Sequence, residues 1–415
     1  MTVTLNSRNF CALALACALP LPGQAAGFVD DASVNLNLRN FFINRNFTNP
    51  GNAQGLAQEW TQNFILDAKS GFTQGTVGFG VDALGLYSIK LDGGKGSGGT
   101  QLLPVGSDGR PADDFGRLAV AGKMKIGKTV LKVGEWMPVL PILRSDDGRS
   151  LPQTFEGAQV TSQDFDGLTL YGGQFRKNSP RNDSSMDDMF MQGKVTVTSD
   201  RFNFVGGEYT FNEKRTMVGL WNAELKDIYQ QQYLQVTHSQ PLGDWTLGAN
   251  LGYFRGTEEG SAKAGNLDNR TVSALLSARY GGNTFYVGLQ KVSGDDGWMR
   301  VNGTSGGTLA NDTYNSSYDS AREKSWQLRH DYNFAALGVP GLTLMNRYLS
   351  GSNVHTGTIT DGKEWGRETE LAYTLQSGTF KDLNLRIRNS TIRRDYSTSE
   401  FDENRLIVSY PLNIL

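Results

Sequence analysis

Cysteine is almost absent. The only two, Cys11 and Cys17, lie before residue 20, so the rest of the chain can build neither a disulfide nor a thiolate metal site. Histidine is nearly as scarce. His238, His330 and His355 include no pair at metal-ligand spacing, and none has a convincing serine partner for nucleophilic catalysis. No metal, no cofactor and no enzymatic activity are therefore expected. An excess of charge is missing too: 40 Lys and Arg face 42 Asp and Glu, which makes a nucleic-acid partner unsuited to this chain. Long apolar runs are lacking; no stretch beyond the start approaches the ~18 residues of a transmembrane helix. Helical periodicity is not convincing in any long window. The mean hydropathy of −0.40 suits a soluble protein, and equally a membrane β-barrel whose polar inner face offsets its apolar outer face.

The opening stretch "MTVTLNSRNFCALALACALPLPGQAAGFVDD" carries one cation, Arg8, then an apolar run from Phe10 to about Pro22, then small residues. A secretory signal peptide over 1–25 is expected, with cleavage after Ala25. Removing it takes away one arginine, no acid and both cysteines.

What the chain has in abundance is two-residue alternation. "EWTQNFILDA" sets Trp60, Phe64 and Leu66 on one parity. "FGRLAVAGKMKI" sets Leu118, Val120, Met124 and Ile126 against Arg117, Lys123 and Lys125. "SWQLRHDYNF" sets Trp326, Leu328 and Tyr332 against Gln327, Arg329 and Asp331. These are half-apolar strands. Tight turns (126–128, 164–167, 241–244, 281–283) alternate with long connections rich in Gly, Ser, Asn and Asp (91–114, 135–152, 177–200, 257–267, 293–321). Aromatics gather near strand ends: Trp60, Trp245, Trp326, Tyr348, Trp365 and Tyr410. The pattern predicts an all-β fold, a transmembrane antiparallel β-barrel of about eighteen strands over 26–415. The segment 189–199 is assigned to a connection rather than to a strand, since a closed barrel with both termini on one side needs an even strand number.

In such a barrel a lipid-facing Arg or Lys at midplane costs about 2–4 kcal/mol, so cations report the inner face. In "LNLRIRNSTIRR" (383–394), Leu385 and Ile387 alternate with Arg386 and Arg388. Arg405 in the last strand, and Arg39 and Arg45 in the first, share that inner parity. First and last strands are neighbours in a closed barrel, so these five arginines should stack on one wall. A guanidinium row suits carboxylates, which it meets through paired donors. The connection 135–152 is unusually apolar for a loop in water. It is expected to fold into the barrel as a constriction, with Arg144 and Arg149 lining the eyelet. The connection 293–321, with Asp312, Tyr314 and Ser317, is expected to form an opposite, acidic and hydrogen-bonding wall.

The segments "GFVDDASVNLNLRNFFINR", "RSLPQTFEGAQV", "EKSWQLRHDYNF" and "LRIRNSTIRRDY" resemble the OprD-type outer-membrane channels of Gram-negative bacteria. The resemblance implies an eighteen-stranded barrel with inward-folded loops, in contact with outer-membrane lipid and lipopolysaccharide and present as a monomer or weak trimer. It implies selective uptake of small carboxylates. It carries an arginine ladder onto Arg39, Arg386, Arg388 and Arg405, and an inward-loop arginine onto Arg149. Where some relatives have a tyrosine and an aspartate before "EKSW", this chain has Asn315 and Ser317. That departure favours cyclic or aromatic acids over basic amino acids; a less selective general porin is the nearer alternative.

Overall fold

The computed structural model describes residues 27–415, so the expected leader lies outside the described residues. In chain order the strands are β1 (Ser33–Phe47), β2 (Leu56–Lys69), β3 (Val77–Asp92), β4 (Asp114–Ile126), β5 (Thr129–Trp136), β6 (Val139–Leu140), β7 (Leu143–Arg144), β8 (Thr154–Phe165), β9 (Leu168–Ser179), β10 (Met189–Phe190) and β11 (Thr198–Ser199). They continue with β12 (Phe202–Phe211), β13 (Thr216–Leu225), β14 (Tyr229–Leu242), β15 (Trp245–Glu258), β16 (Asp268–Tyr280), β17 (Asn283–Ser293), β18 (Lys324–Asn333), β19 (Leu342–Thr356), β20 (Ile359–Thr374), β21 (Asn384–Arg394) and β22 (Phe401–Asn413). Eighteen of them form one antiparallel sheet, and β1 pairs with both β2 and β22, so the sheet closes on itself. Closure leaves no open edge, as lipid requires. The pairs β6–β7 and β10–β11 are small hairpins inside connections; 189–199 is indeed no wall strand.

Alternation builds the wall. In β21, Leu385 and Ile387 are exposed on the outer face, while Arg386 and Arg388 turn inward. Trp60, Trp245, Trp326, Tyr348 and Trp365 all point outward, the first three near strand ends and Tyr348 and Trp365 from the middle of the long strands β19 and β20. Trp326, Tyr348 and Trp365 run across three neighbouring strands with ring centroids 5.7 and 6.0 Å apart. These are the amphipathic rings of an interfacial belt. The strict alternation of short and long connections does not hold throughout. On the long-loop side, 226–228 and 357–358 are tight; on the other side, 334–341 and 375–383 are extended. The loop 357–358 joins two long strands, β19 of 15 and β20 of 16 residues, which carry the chain outward without loop residues.

The interior is not a uniformly wet lumen. One side is a packed apolar core, in which Trp136, Phe155, Phe175, Phe202, Phe204, Trp221, Tyr233 and Phe254 from the wall meet Leu140, Ile142, Met189, Trp298 and Met299 from the connections. Gly206 makes room for it, since a Cβ there would lie 2.3 Å from the Trp221 ring. Burial on the order of 1.5–3 kcal/mol per large apolar side chain holds the connection 137–153 inside the barrel. Thr308 Oγ1 donates to the Pro141 carbonyl (2.9 Å), and the Ser305 amide to the Arg144 carbonyl (2.9 Å), so the connection 294–323 is fastened to it.

Candidate functional site

Against this core stands the opposite wall, β19 to β22 and β1. Register sets its rungs. Arg388 faces Arg405 across β21–β22, and Arg45 faces Glu403 across β1–β22. Residues i and i+2 share a face, so Arg386 lies about 6–7 Å below Arg388. Arg39, Arg45, Arg386, Arg388 and Arg405 thus do stand on one wall beside the seam.

Each of them touches an acid. Arg39 meets Asp147 (2.8 Å). Arg45 (2.7 Å) and Arg405 (2.6 Å) share Glu403, which is fully buried. Arg386 (3.6 Å) and Arg388 share Glu370. Five guanidinium groups therefore meet three carboxylates, an excess of two positive charges. Arg386 is the loosest member: its side chain is 35% exposed and its Nε has no hydrogen-bond partner. Arg149 adds a further cation; buried, it donates to the backbone carbonyls of Thr100 (2.9 Å) and Gly148 (2.8 Å). Burial and the neighbouring Arg405 and Arg181 hold its guanidinium below the usual range.

The connection 294–323 does not form an opposing acidic wall. It crosses the interior and lands on the arginine wall itself. The Tyr314 ring lies 3.9 Å over the Arg388 guanidinium, and its hydroxyl donates to Glu370 (2.9 Å). Burial pushes that phenol up to about 12, which keeps it a donor. Asn315 accepts from Arg405 (2.7 Å) and Arg45 (3.4 Å) and donates to Glu403 (3.0 Å) and Ser390 (2.9 Å). Asp312 is turned into the connection, where it accepts from Ser317 (2.7 Å). The apolar anchors Trp298, Met299 and Leu309 explain the course, since their burial draws the chain through the barrel. The other predicted residues lie apart. Arg144 is exposed on β7. Arg329 pairs with Asp331 (2.6 Å) on β18. Lys123 joins Lys132 on Asp82, both at 2.6 Å, toward the short-turn end.

Sequence reading overlooked the acids and some cations. Arg347 binds Glu368, and Arg394 meets Glu364 (2.8 Å). The alternating "EWGRETE" run of β20, with Glu364, Glu368 and Glu370 on the inner parity, was the available signal.

Two cavities flank the segment Asp147–Arg149. The outer one, of about 590 Å³, is lined by Arg45, Arg149, Arg181, Arg300 and Arg394 together with Asp146, Asp312, Asp319, Glu364 and Asn315. The inner one, of about 400 Å³, is lined by Asn35, Arg39, Lys132, Trp136 and Asp147. Both have the size of small-ligand sites.

Burial lifts the Asp312 carboxyl to about 6 from its ordinary 3.8. A carboxyl with a raised folded-state pKa binds its proton more tightly in the packed loop than in the open one. Its contribution to loop packing is therefore full below about pH 4 and is lost as pH rises to about 6. Amide protection factors in 305–318, taken relative to the intrinsic exchange rate at each pH, should fall across that window in the wild type and stay flat in Asp312→Asn; identical profiles would refute it.

Comparison with known proteins agrees with this architecture. The family described as outer membrane porin, OprD family, matches residues 26–414. Porin-like protein GalP of Pseudomonas putida is 68% identical, with 97% of each chain covered. Among solved structures, a BenF-like porin from Pseudomonas fluorescens Pf-5 is 75% identical with a TM-score of 0.93, covering 94% of this chain and all of that one. Pseudomonas aeruginosa OccK2 in complex with glucuronate is 65% identical (TM-score 0.87; 94% and 100% covered). Pseudomonas aeruginosa OpdK with vanillate is 48% identical (TM-score 0.89; 93% and 100% covered). With a closed eighteen-stranded barrel, inward-folded connections and a match over nearly its whole length, the chain belongs to the OprD family of porins of the Gram-negative outer membrane.

Proposed function

We propose that this porin selects small cyclic or aromatic carboxylates and passes them inward along the arginine wall, by passive transport without a catalytic step. The observation that carries the reading is the surplus of guanidinium over carboxylate on that wall. Two relatives support it by their ligands: OccK2 was solved with glucuronate and OpdK with vanillate, each a ring bearing a carboxylate. A substrate carboxylate enters the outer cavity and meets Arg45, Arg149 and Arg394. It then exchanges with Glu370 for the donors of Arg388 and Arg386, and leaves past Arg39 into the inner cavity. Exchange keeps each stop weak, about millimolar or −4 kcal/mol, which release requires. Arg144 on the inward connection attracts anions, while Arg329, opposite Arg347, and Lys123, toward the short-turn end, balance local acids.

Proteoliposome swelling with glucuronate, vanillate, benzoate, arginine and a neutral sugar tests the proposal. The acids should enter faster than the sugar, and arginine slowest. Equal rates for all would indicate a general porin, and fastest entry of arginine a basic amino-acid channel; either result overturns the reading. Asn315→Asp should slow the acids roughly tenfold and favour arginine, because a fourth carboxylate would face Glu403 and occupy Arg405 and Arg45. Reversal potentials under a salt gradient would register the same change; an unshifted potential would count against it.

A further inference from the structure

The outer face of the barrel also carries charge, and in one sector cations stand directly opposite one another. On four consecutive strands, β15 to β18, the last apolar residue toward the long-loop end is Tyr253, Val272, Leu289 or Trp326, all exposed. Two residues farther on, each strand presents an exposed cation: Arg255, Arg270, Lys291 or Lys324. Register brings them together. Arg255 is directly opposite Arg270, and Lys291 directly opposite Lys324. Arg270 pairs with Ser293, two residues beyond Lys291, so the two cation pairs are diagonal neighbours. Across four strands the patch is about 14 Å wide.

Directly opposed like charges destabilise a sheet. Elsewhere on the outer face Arg393 meets Asp402 (3.1 Å) and Arg176 meets Asp200 (3.0 Å), while Lys363 and Arg367 on β20 stand exposed but are not directly opposed to another cation. In the patch, among the described residues, only Asp268 approaches, 3.2 Å from Arg270. On β13 and β14 the same row is neutral, Asn222 opposite Gln232 opposite Arg255. The repulsion is thus local and left unbalanced by the protein. It sits where the lipid-facing surface ends, on the side of the long loops, at the headgroups of the outer leaflet. Guanidinium and ammonium groups held there fit phosphate, and the exposed Tyr253 and Trp326 below them fit acyl chains.

We propose that the outer face of β15–β18 is a binding site for one phosphorylated glycolipid of the outer leaflet, the lipid A part of lipopolysaccharide. One phosphate would bridge Arg255 and Arg270, and the other Lys291 and Lys324. The site is separate from the pore, so its occupancy does not depend on the transport reading. The test is retention of lipid by the detergent-purified barrel, followed by native mass spectrometry, using bisphosphorylated and dephosphorylated lipid A. The wild type should retain a single bisphosphorylated lipid and release the dephosphorylated one, and inorganic phosphate should not displace it. The variant R255Q/R270Q/K291Q/K324Q should retain it roughly tenfold less or worse, with single-channel conductance unchanged. R255Q/R270Q and K291Q/K324Q alone should each weaken retention, which keeps the test decisive should the fourfold variant assemble poorly. K291R/K324R should behave as wild type. Equal retention by the charge-neutral variants, or equal binding of dephosphorylated lipid, would overturn the proposal.

Discussion

The double replacement of Arg386 and Arg388 by alanine will lower carboxylate uptake by roughly 10–100-fold, since each hydrogen-bonded contact to a charged group is worth about 1.5–3 kcal/mol. The two residues are not equivalent. Arg388 is closed off by the Tyr314 ring and bound to Glu370. Arg386 is the more exposed and keeps an unpaired donor. Arg386→Ala alone should therefore weaken substrate capture, while Arg388→Ala alone should also loosen Tyr314 and widen the pore. Together they cancel the surplus charge, leaving Arg39, Arg45 and Arg405 against Asp147, Glu403 and Glu370. Adding Glu370→Gln to the double variant separates charge from contact. If uptake depends on the net field, the triple variant recovers part of it; if it depends on the donors, it does not. Uptake by the double variant at the wild-type rate would remove the arginines from the transport path.

Much of this architecture was legible because the lipid boundary enforces parity. A lipid-facing Arg386 or Arg388 would be costly, so their alternation with Leu385 and Ile387 fixed the inner face. Ring closure then placed Arg45 beside Arg405 with no further information. The course of 294–323 was not legible. Its Asp, Asn and Ser residues read as a polar wall, yet Trp298, Met299 and Leu309 decide where it goes, and they do so by packing on residues far away in sequence. The acids were missed for a different reason. Glu368 and Glu370 show the inner parity of β20 plainly, but only register reveals that each lies beside an arginine. A row of cations read alone suggests a bare positive ladder. Read with its neighbours, it is a nearly neutral lattice with a small positive remainder, which is better suited to releasing an anion than to trapping it.

The same lattice makes Glu403 the most consequential acid in the barrel. It is fully buried, binds Arg45 (2.7 Å) and Arg405 (2.6 Å), and receives the Asn315 amide (3.0 Å). Glu403→Ala leaves Arg405, itself 2% exposed, without its counter-charge, and removal of one partner from a buried pair costs about 3–5 kcal/mol. The connection 294–323 should lose its hold on the wall, because Asn315 is fastened there through Glu403, Arg405 and Arg45. The expected result is a barrel that unfolds at lower denaturant and, while folded, conducts more with less discrimination between carboxylates and neutral sugars. Glu403→Gln keeps volume and one acceptor, so it should lose less stability. Glu403→Leu combined with Arg405→Met should recover stability, because an apolar replacement of both partners removes the unpaired charge, but it should not recover selectivity. A Glu403→Ala barrel within about 0.5 kcal/mol of the wild type, with unchanged conductance, would show that the loop is held in place by its apolar anchors alone and that the buried acid does not latch it.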